Sequence, residues 1–274
     1  MTAISPAPVL SFGRVVRSEW IKFRSLRSPA WTLSIAAALV VGFGILLAIG
    51  FTEAARAGAA AEATAEFGVA GELGLGAATA TMGVFIAQLA VATLGVLIIS
   101  GEYGTGMIRS TLVAVPRRTP MLAAKAIVFA VVAFIVGVAT TLATFLATNP
   151  ILATEQLEST LTDPEVLRIL LGSGLYLAAI GVLSMAVGAI IRSTAGGIGT
   201  IVAMLLIVPI ILSMLPWEWA STIATYLPAQ AGEQIMMEAT ETATLGPWQG
   251  FGVLLVWVAA ALTAAVILLR KRDA

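Results

Sequence analysis

Six long apolar runs, at about residues 31–51, 77–99, 126–147, 167–191, 196–215 and 247–269, limit this chain to very few folds. Each approaches or exceeds the roughly 20 residues that a helix needs to cross ~30 Å of hydrocarbon at ~1.5 Å per residue. In lipid every backbone amide must be paired inside the protein, which leaves helices or closed barrels. Barrels are built from short alternating strands, whereas these runs are continuous. The expected fold is therefore an all-α membrane protein of six transmembrane helices, with residues 1–274 forming a single transmembrane domain. Only 11% of the 274 residues are charged and 59% are hydrophobic, against about 25% charged in an ordinary soluble domain. No sizeable soluble domain is left over.

Orientation follows from the basic residues, because Lys and Arg flanking short loops resist translocation. Thirteen of the 15 lie in the N-terminal segment, the 100–125 loop, at Arg192 or at the C-terminus; only Arg56 and Arg168 fall on the other face. Both termini are expected to be cytoplasmic. The acids divide the opposite way, with 12 of 15 in the outer loops and Glu19, Glu102 and Asp273 remaining with the cations.

Several chemistries are disfavoured. The chain has no Cys and no His, so disulfides, the commonest metal ligand and the commonest general base are missing. No metal site and no catalytic residue are expected. The phosphate-binding pattern G-x-x-x-x-G-K-[ST] is absent, so ATP is not handled by this chain in the usual way. The basic N-terminus leads into a full-length span, which is expected to act as its own insertion signal.

Residues 11–28 precede the first span. Phe12, Val15, Val16, Trp20, Phe23 and Leu26 recur at three- and four-residue spacing, with Arg14, Arg17 and Arg24 largely opposite. This pattern predicts an amphipathic interfacial helix whose apolar side meets lipid while its cations meet anionic headgroups. A plain basic flank accounts for the cations alone; the aromatic and branched spacing favours a defined helix. Ser28 and Pro29 suit an N-cap and first position for the following span.

The loop 100–125 has Glu102, Arg109, Arg117, Arg118 and Lys125 between two apolar runs. It is far longer than a connector between antiparallel helices requires. A solvated positive-inside loop and a docking surface both fit its composition. Its sequence, "GEYGTGMIRSTLVAVPRRTPMLAAKA", resembles the corresponding loop of actinobacterial permease subunits of type-2 ATP-binding-cassette (ABC) exporters. "RSEWIKFRSLRSPAW" is similar to that family's N-terminal interfacial helix, in which Arg17, Trp20, Phe23 and Arg24 stand out. "YLPAQAGEQI" is similar to the motif in its last external loop, here 216–246, with Tyr226, Pro228 and Gly232.

The resemblance implies a membrane-spanning transport subunit of the bacterial cytoplasmic membrane, without enzymatic activity of its own. Loop 100–125 would be the coupling loop seated on a separate nucleotide-binding ATPase subunit. Glu102, Tyr103, Gly104 and Arg109 would lie in that loop with Ile108 and Leu112 as its apolar contacts. ATP and Mg would belong to the partner ATPase dimer, with no cofactor in this chain. A second permease chain, identical or a sister subunit, completes the expected assembly alongside membrane lipid, and no nucleic acid partner is expected. The external loop would close the pathway from outside.

Within the spans the polar residues are few, Gln88 and Tyr176 among them, and no acid or base is buried there by this reading. That disfavours a proton-coupled transporter and fits an amphipathic or hydrophobic cargo such as a drug, peptide or lipid. Ser and Thr in such helices serve packing more often than substrate contact, so no substrate residue is assigned. The alternatives are a six-span channel or secondary transporter, or a membrane scaffold without transport.

Overall fold

The computed structural model describes residues 11–66, 73–104, 118–239 and 243–271. Helix α1 (Phe12–Ser25) is followed by α2 (Arg27–Arg56), α3 (Ala60–Glu66), α4 (Gly76–Met82), α5 (Val84–Gly104) and α6 (Arg118–Leu152). A 3-10 turn (Ala153–Glu155) leads to α7 (Pro164–Ile191) and α8 (Thr194–Val202), then a π turn (Ala203–Ile207) and α9 (Val208–Ser213). The remainder is α10 (Glu218–Thr225), α11 (Pro228–Glu233), a 3-10 turn (Gln234–Met236) and α12 (Pro247–Lys271). Six helical stretches are long and apolar enough to cross a membrane: α2, α4 with α5, α6, α7, α8 through α9, and α12. The expected all-α, six-span fold with a preceding helix is what forms, and no strand occurs among the described residues.

Boundaries differ where local chemistry was misread. The break before the first span falls at Leu26, whose extended backbone (φ −85°, ψ 129°) ends α1 and begins α2. Ser28 therefore does not cap α2; it lies inside the helix, and Leu26 makes no side-chain cap. Asp163 does cap α7, accepting from the Glu165 N–H at 2.8 Å with Pro164 as first helical residue. Ser193 accepts from the Gly196 N–H at the start of α8, and the left-handed Arg192 (φ 59°) makes the tight reversal between fourth and fifth spans. The π turn precedes Pro209; widening the helix there accommodates a ring that cannot donate a hydrogen bond.

Helix α7 is the axis of the bundle. In its most apolar stretch 78% of residues are buried, against 22% for the fifth and sixth spans. Helices α5 and α6 pack on it with small residues between them. A Cβ added at Gly95 of α5 would come within 2.6 Å of the Gly181 carbonyl oxygen of α7. Such close approach is how helices associate where lipid removes the hydrophobic drive. Phe129, Tyr176, Ile180, Leu183 and Met185 fill the core around this crossing.

Helix α1 and the end of α12 share one end of the bundle with the start of α6. Arg270 Nη2 donates to Thr119 Oγ1 at 3.0 Å, and α1 lies against α6. At the far end Asn149 holds the chain that follows the third span, donating to the Ser159 carbonyl and accepting from its N–H, both at 2.9 Å.

Candidate functional site

At the termini end four charged side chains from three elements converge. Val15, Glu19 and Lys22 lie at i, i+4 and i+7 on one face of α1, and Val15 and Glu19 are buried. Glu102 comes from the last turn of α5, and Lys125 lies near the start of α6. Lys125 Nζ donates to Glu19 Oε2 at 2.6 Å and to Glu102 Oε1 at 2.8 Å. Lys22 Nζ donates to Glu19 Oε1 at 2.7 Å and stands 3.7 Å from Glu102 Oε1. Glu19, Glu102 and Lys125 are each about 5% exposed or less.

Burial pushes the Glu19 carboxyl up, but the Lys125 and Lys22 cations outweigh it and hold it below the ordinary carboxylate value. Two acids facing two bases make the cluster neutral, the condition under which buried charge is tolerated. Its net stabilisation is small because desolvation offsets attraction, whereas removing one partner is costly. The arrangement fixes α1, the exit of the second span and the entry of the third as one unit.

The residues singled out in the sequence fall as follows. Glu102 is bound inside the chain. The Arg192 guanidinium lies 5.2 Å from the centroid of the Tyr103 ring, within cation–π range, and Gly104 is exposed. Ile108, Arg109 and Leu112 lie outside the described residues. On α1, Arg17, Trp20 and Arg24 are exposed and Phe23 packs inward, its ring centroid 6.4 Å from that of Phe129. Phe12, Trp20 and Leu26 form an outward apolar surface, but the helix also has a protein-facing edge that apolar spacing did not reveal. The signal was present as the stray acid of a basic helix, Glu19.

At the far end residues 216–239 fold back into the bundle. Pro228 occupies the first turn of α11, where its missing N–H costs nothing, and the Tyr226 carbonyl just before it accepts from Trp257 Nε1 at 2.9 Å. Gly232 is buried between Tyr176 and Leu254. Added Cβ atoms at Gly172 and Gly250 would collide with the carbonyl oxygens of Ile235 and Ala231, so the re-entrant backbone lies directly on α7 and α12. Arg168 clasps the returning chain, donating to the Ile235 and Met237 carbonyls at 2.8 Å each. Its partner Glu165 accepts from Arg168 and from the Ala239 N–H, also at 2.8 Å.

This re-entrant segment delivers an acid. Tyr176 Oη lies 2.5 Å from Gln88 Oε1 and 3.2 Å from Glu233 Oε1. Gln88 and Tyr176 are fully buried. The spans contribute no acid here, as their sequences indicate; Glu233 arrives from the loop, which span-by-span reading does not test. Among the described residues no group of His, Cys, Asp and Glu is arranged to hold a metal.

Residues 15–210 match the family described as ABC-2 family transporter protein. A search among curated proteins finds no match. The matched region takes in the α1 edge, the charge cluster and the first four spans with most of the fifth, and the six-span helical architecture of the whole chain fits a multi-pass membrane component of transport. The chain belongs to the ABC-2 transporter family, as the membrane permease of an ABC transporter rather than its catalytic subunit.

Proposed function

We propose that this permease is the membrane-spanning subunit of an ATP-driven exporter of the bacterial cytoplasmic membrane, with both termini cytoplasmic, carrying amphipathic or hydrophobic cargo. A separate ATPase dimer binds ATP and Mg and seats on the loop that follows Glu102. Two permease chains, identical or sister subunits, flank the pathway.

The observation that carries this reading is the buried Glu19–Lys22–Glu102–Lys125 cluster. It ties both roots of the 105–117 loop to the interfacial helix, so a push on the loop moves the second and third spans and α1 together. Tyr103, Gly104, Ile108, Arg109 and Leu112 are the residues offered to the ATPase, while Glu102 transmits from within. The absence of a phosphate-binding loop from the sequence supports an engine on another chain. At the opposite end, Tyr226, Pro228 and Gly232 belong to the segment that closes the outer side.

The deciding experiment is purification of the tagged chain from its native membrane in mild detergent, with wild-type sequence and with Arg109→Ala combined with Leu112→Ala. Recovery of an ATP-binding subunit, weakened by the two loop changes while the permease itself remains folded, is the expected result. Recovery of no such subunit, or recovery insensitive to the loop, overturns the assigned coupling role.

A further inference from the structure

Among the described residues Glu233 is an acid without a paired cation. Tyr176 lies 12 residues along the 28-residue α7, roughly 18 Å from its far end at ~1.5 Å per residue, so the Glu233 carboxyl beside it sits well inside the thickness of the bundle. Among the described residues no Lys or Arg lies within ion-pair distance of Glu233. The surrounding elements offer little else that titrates. Helix α7 contributes Tyr176, with Arg168 two turns outward and engaged by carbonyls and Glu165. Helix α12 has charge only at Arg270 and Lys271 at its other end, and the π turn and the 3-10 turn after α11 have none. Helix α10 begins with Glu218 and is followed by Tyr226, both exposed.

Hydrogen counting adds a second constraint. A phenol has one hydrogen to donate, yet Tyr176 Oη meets two carbonyl-type oxygens, Gln88 Oε1 and Glu233 Oε1. With the phenol hydrogen on Gln88, at the shorter distance, the contact with Glu233 is a hydrogen bond only if Glu233 is protonated and donates. The buried Gln88 Nε2 has no hydrogen-bond partner. If Glu233 is ionised, the chain reverses: Tyr176 donates to the carboxylate and the Gln88 amide turns to offer N–H to Tyr176 Oη. The phenol thus keeps both of its contacts in one arrangement with the proton and in another, requiring an amide rotation, without it.

We infer that Glu233, Tyr176 and Gln88 form a proton-binding site where the re-entrant segment meets the bundle, that the seated segment holds the proton on Glu233, and that its loss to water loosens the seat. The site requires no particular cargo and stands apart from the coupling role of the 105–117 loop. The ligand is a proton: O–H forms on the Glu233 carboxylate when the proton arrives from water and breaks when it returns. No other group changes its covalent state.

Burial raises the Glu233 carboxyl from its ordinary 4.5 to about 7, against the smaller downward pull of Tyr176 and Gln88. A seat that raises an acid's pKa prefers the protonated form. The seat is therefore fully held below about pH 4.5, weakens as pH climbs through 5 and 6, and weakens no further once pH passes about 7.

The chain has no native cysteine, so one introduced thiol reports cleanly. Met236 is 6% exposed on the re-entrant segment and its neighbour Met237 is 46% exposed. The full-length chain with Met236→Cys, in membrane fragments open to both sides, is labelled with a charged methanethiosulfonate between pH 5 and pH 8. The rate is divided by that of Met237→Cys to remove the thiol's own titration. We expect the ratio to rise more than tenfold from pH 5 to pH 7 and then level off, and Glu233→Gln to hold it low and flat. A flat ratio with Glu233 present, or the same rise with Glu233→Gln, overturns the site. Tyr176→Phe keeps the acid and removes its hydrogen-bond partner; the rise should extend to higher pH, and an unchanged profile overturns the part assigned to the phenol.

Discussion

Lys125 on the third span reaches Glu19 of the N-terminal helix α1 at 2.6 Å across 106 positions of sequence. The same ammonium holds Glu102, so one side chain joins three elements. Its removal leaves two carboxylates buried together, with Lys22 as their remaining ion-pair partner among the described residues. Lys125→Met should destabilise the chain by about 3–5 kcal/mol, the cost of orphaning a buried partner. Thermal unfolding in detergent reads this directly. Adding Glu19→Gln and Glu102→Gln to Lys125→Met should restore most of the loss, since the buried groups are then neutral and the remaining cation, Lys22, is 36% exposed to solvent; no recovery would mean that the methionine itself disrupts packing.

The same cluster predicts an acid limit. Glu19 is held below its ordinary value of 4.5 by Lys125 and Lys22 despite the opposing effect of burial. A depressed folded value contributes stability that is full above the unfolded value and is lost as pH falls through the folded one. Wild-type unfolding temperature should therefore drop more steeply below pH 4.5 than that of Glu19→Gln, and the two profiles should run parallel from pH 6 to 8. Parallel profiles throughout would remove Glu19 from the account.

The spans were legible because membrane insertion imposes one dominant rule, and a 20-residue apolar run leaves little else to form. The expected 77–99 and 247–269 became Gly76–Gly104 and Pro247–Lys271, longer mainly because helices continue past the apolar portion. What was not legible depends on tertiary pairing. Glu19 and Glu102 were visible as acids left among cations, but their common partner Lys125 is set by how α1 crosses α6. Gln88 and Tyr176 were noted as isolated polar residues. Their link to Glu233 requires that a loop re-enter the bundle, and the glycines that permit this, Gly172 and Gly250, have no distinguishing mark in a chain with 26 glycines.

Those glycines yield a sharp contrast. An added Cβ at Gly250 meets the Ala231 carbonyl oxygen, whereas at Gly252, half a turn on, it meets nothing within 4 Å. Gly250→Ala should cost about 1–3 kcal/mol through forced backbone displacement. Gly252→Ala should instead be neutral or stabilising by up to about 1 kcal/mol, from helix propensity. Unfolding temperatures of the two variants, moving in opposite directions or at least differing clearly, check the seating of α11 on α12.

Arg168 separates a mechanical hold from a protonic one. Its guanidinium spans the Ile235 and Met237 carbonyls and Glu165 with three contacts of 2.8 Å, a planar fork that the point charge of lysine does not reproduce. Hydrogen bonds to a charged group contribute about 1.5–3 kcal/mol each, and Glu165 loses its partner as well. Arg168→Lys should therefore raise the labelling ratio of Met236→Cys to Met237→Cys at every pH. Because the Glu233, Tyr176 and Gln88 contacts are untouched, the shape of the pH response should remain until the seat is largely open. A uniform rise with Arg168→Lys beside a flattened response with Glu233→Gln would assign the two residues different jobs on one segment: Arg168 retains it, and Glu233 makes its retention depend on protons. An unchanged ratio with Arg168→Lys would mean that packing against Gly172 and Gly250 holds the segment without the clasp.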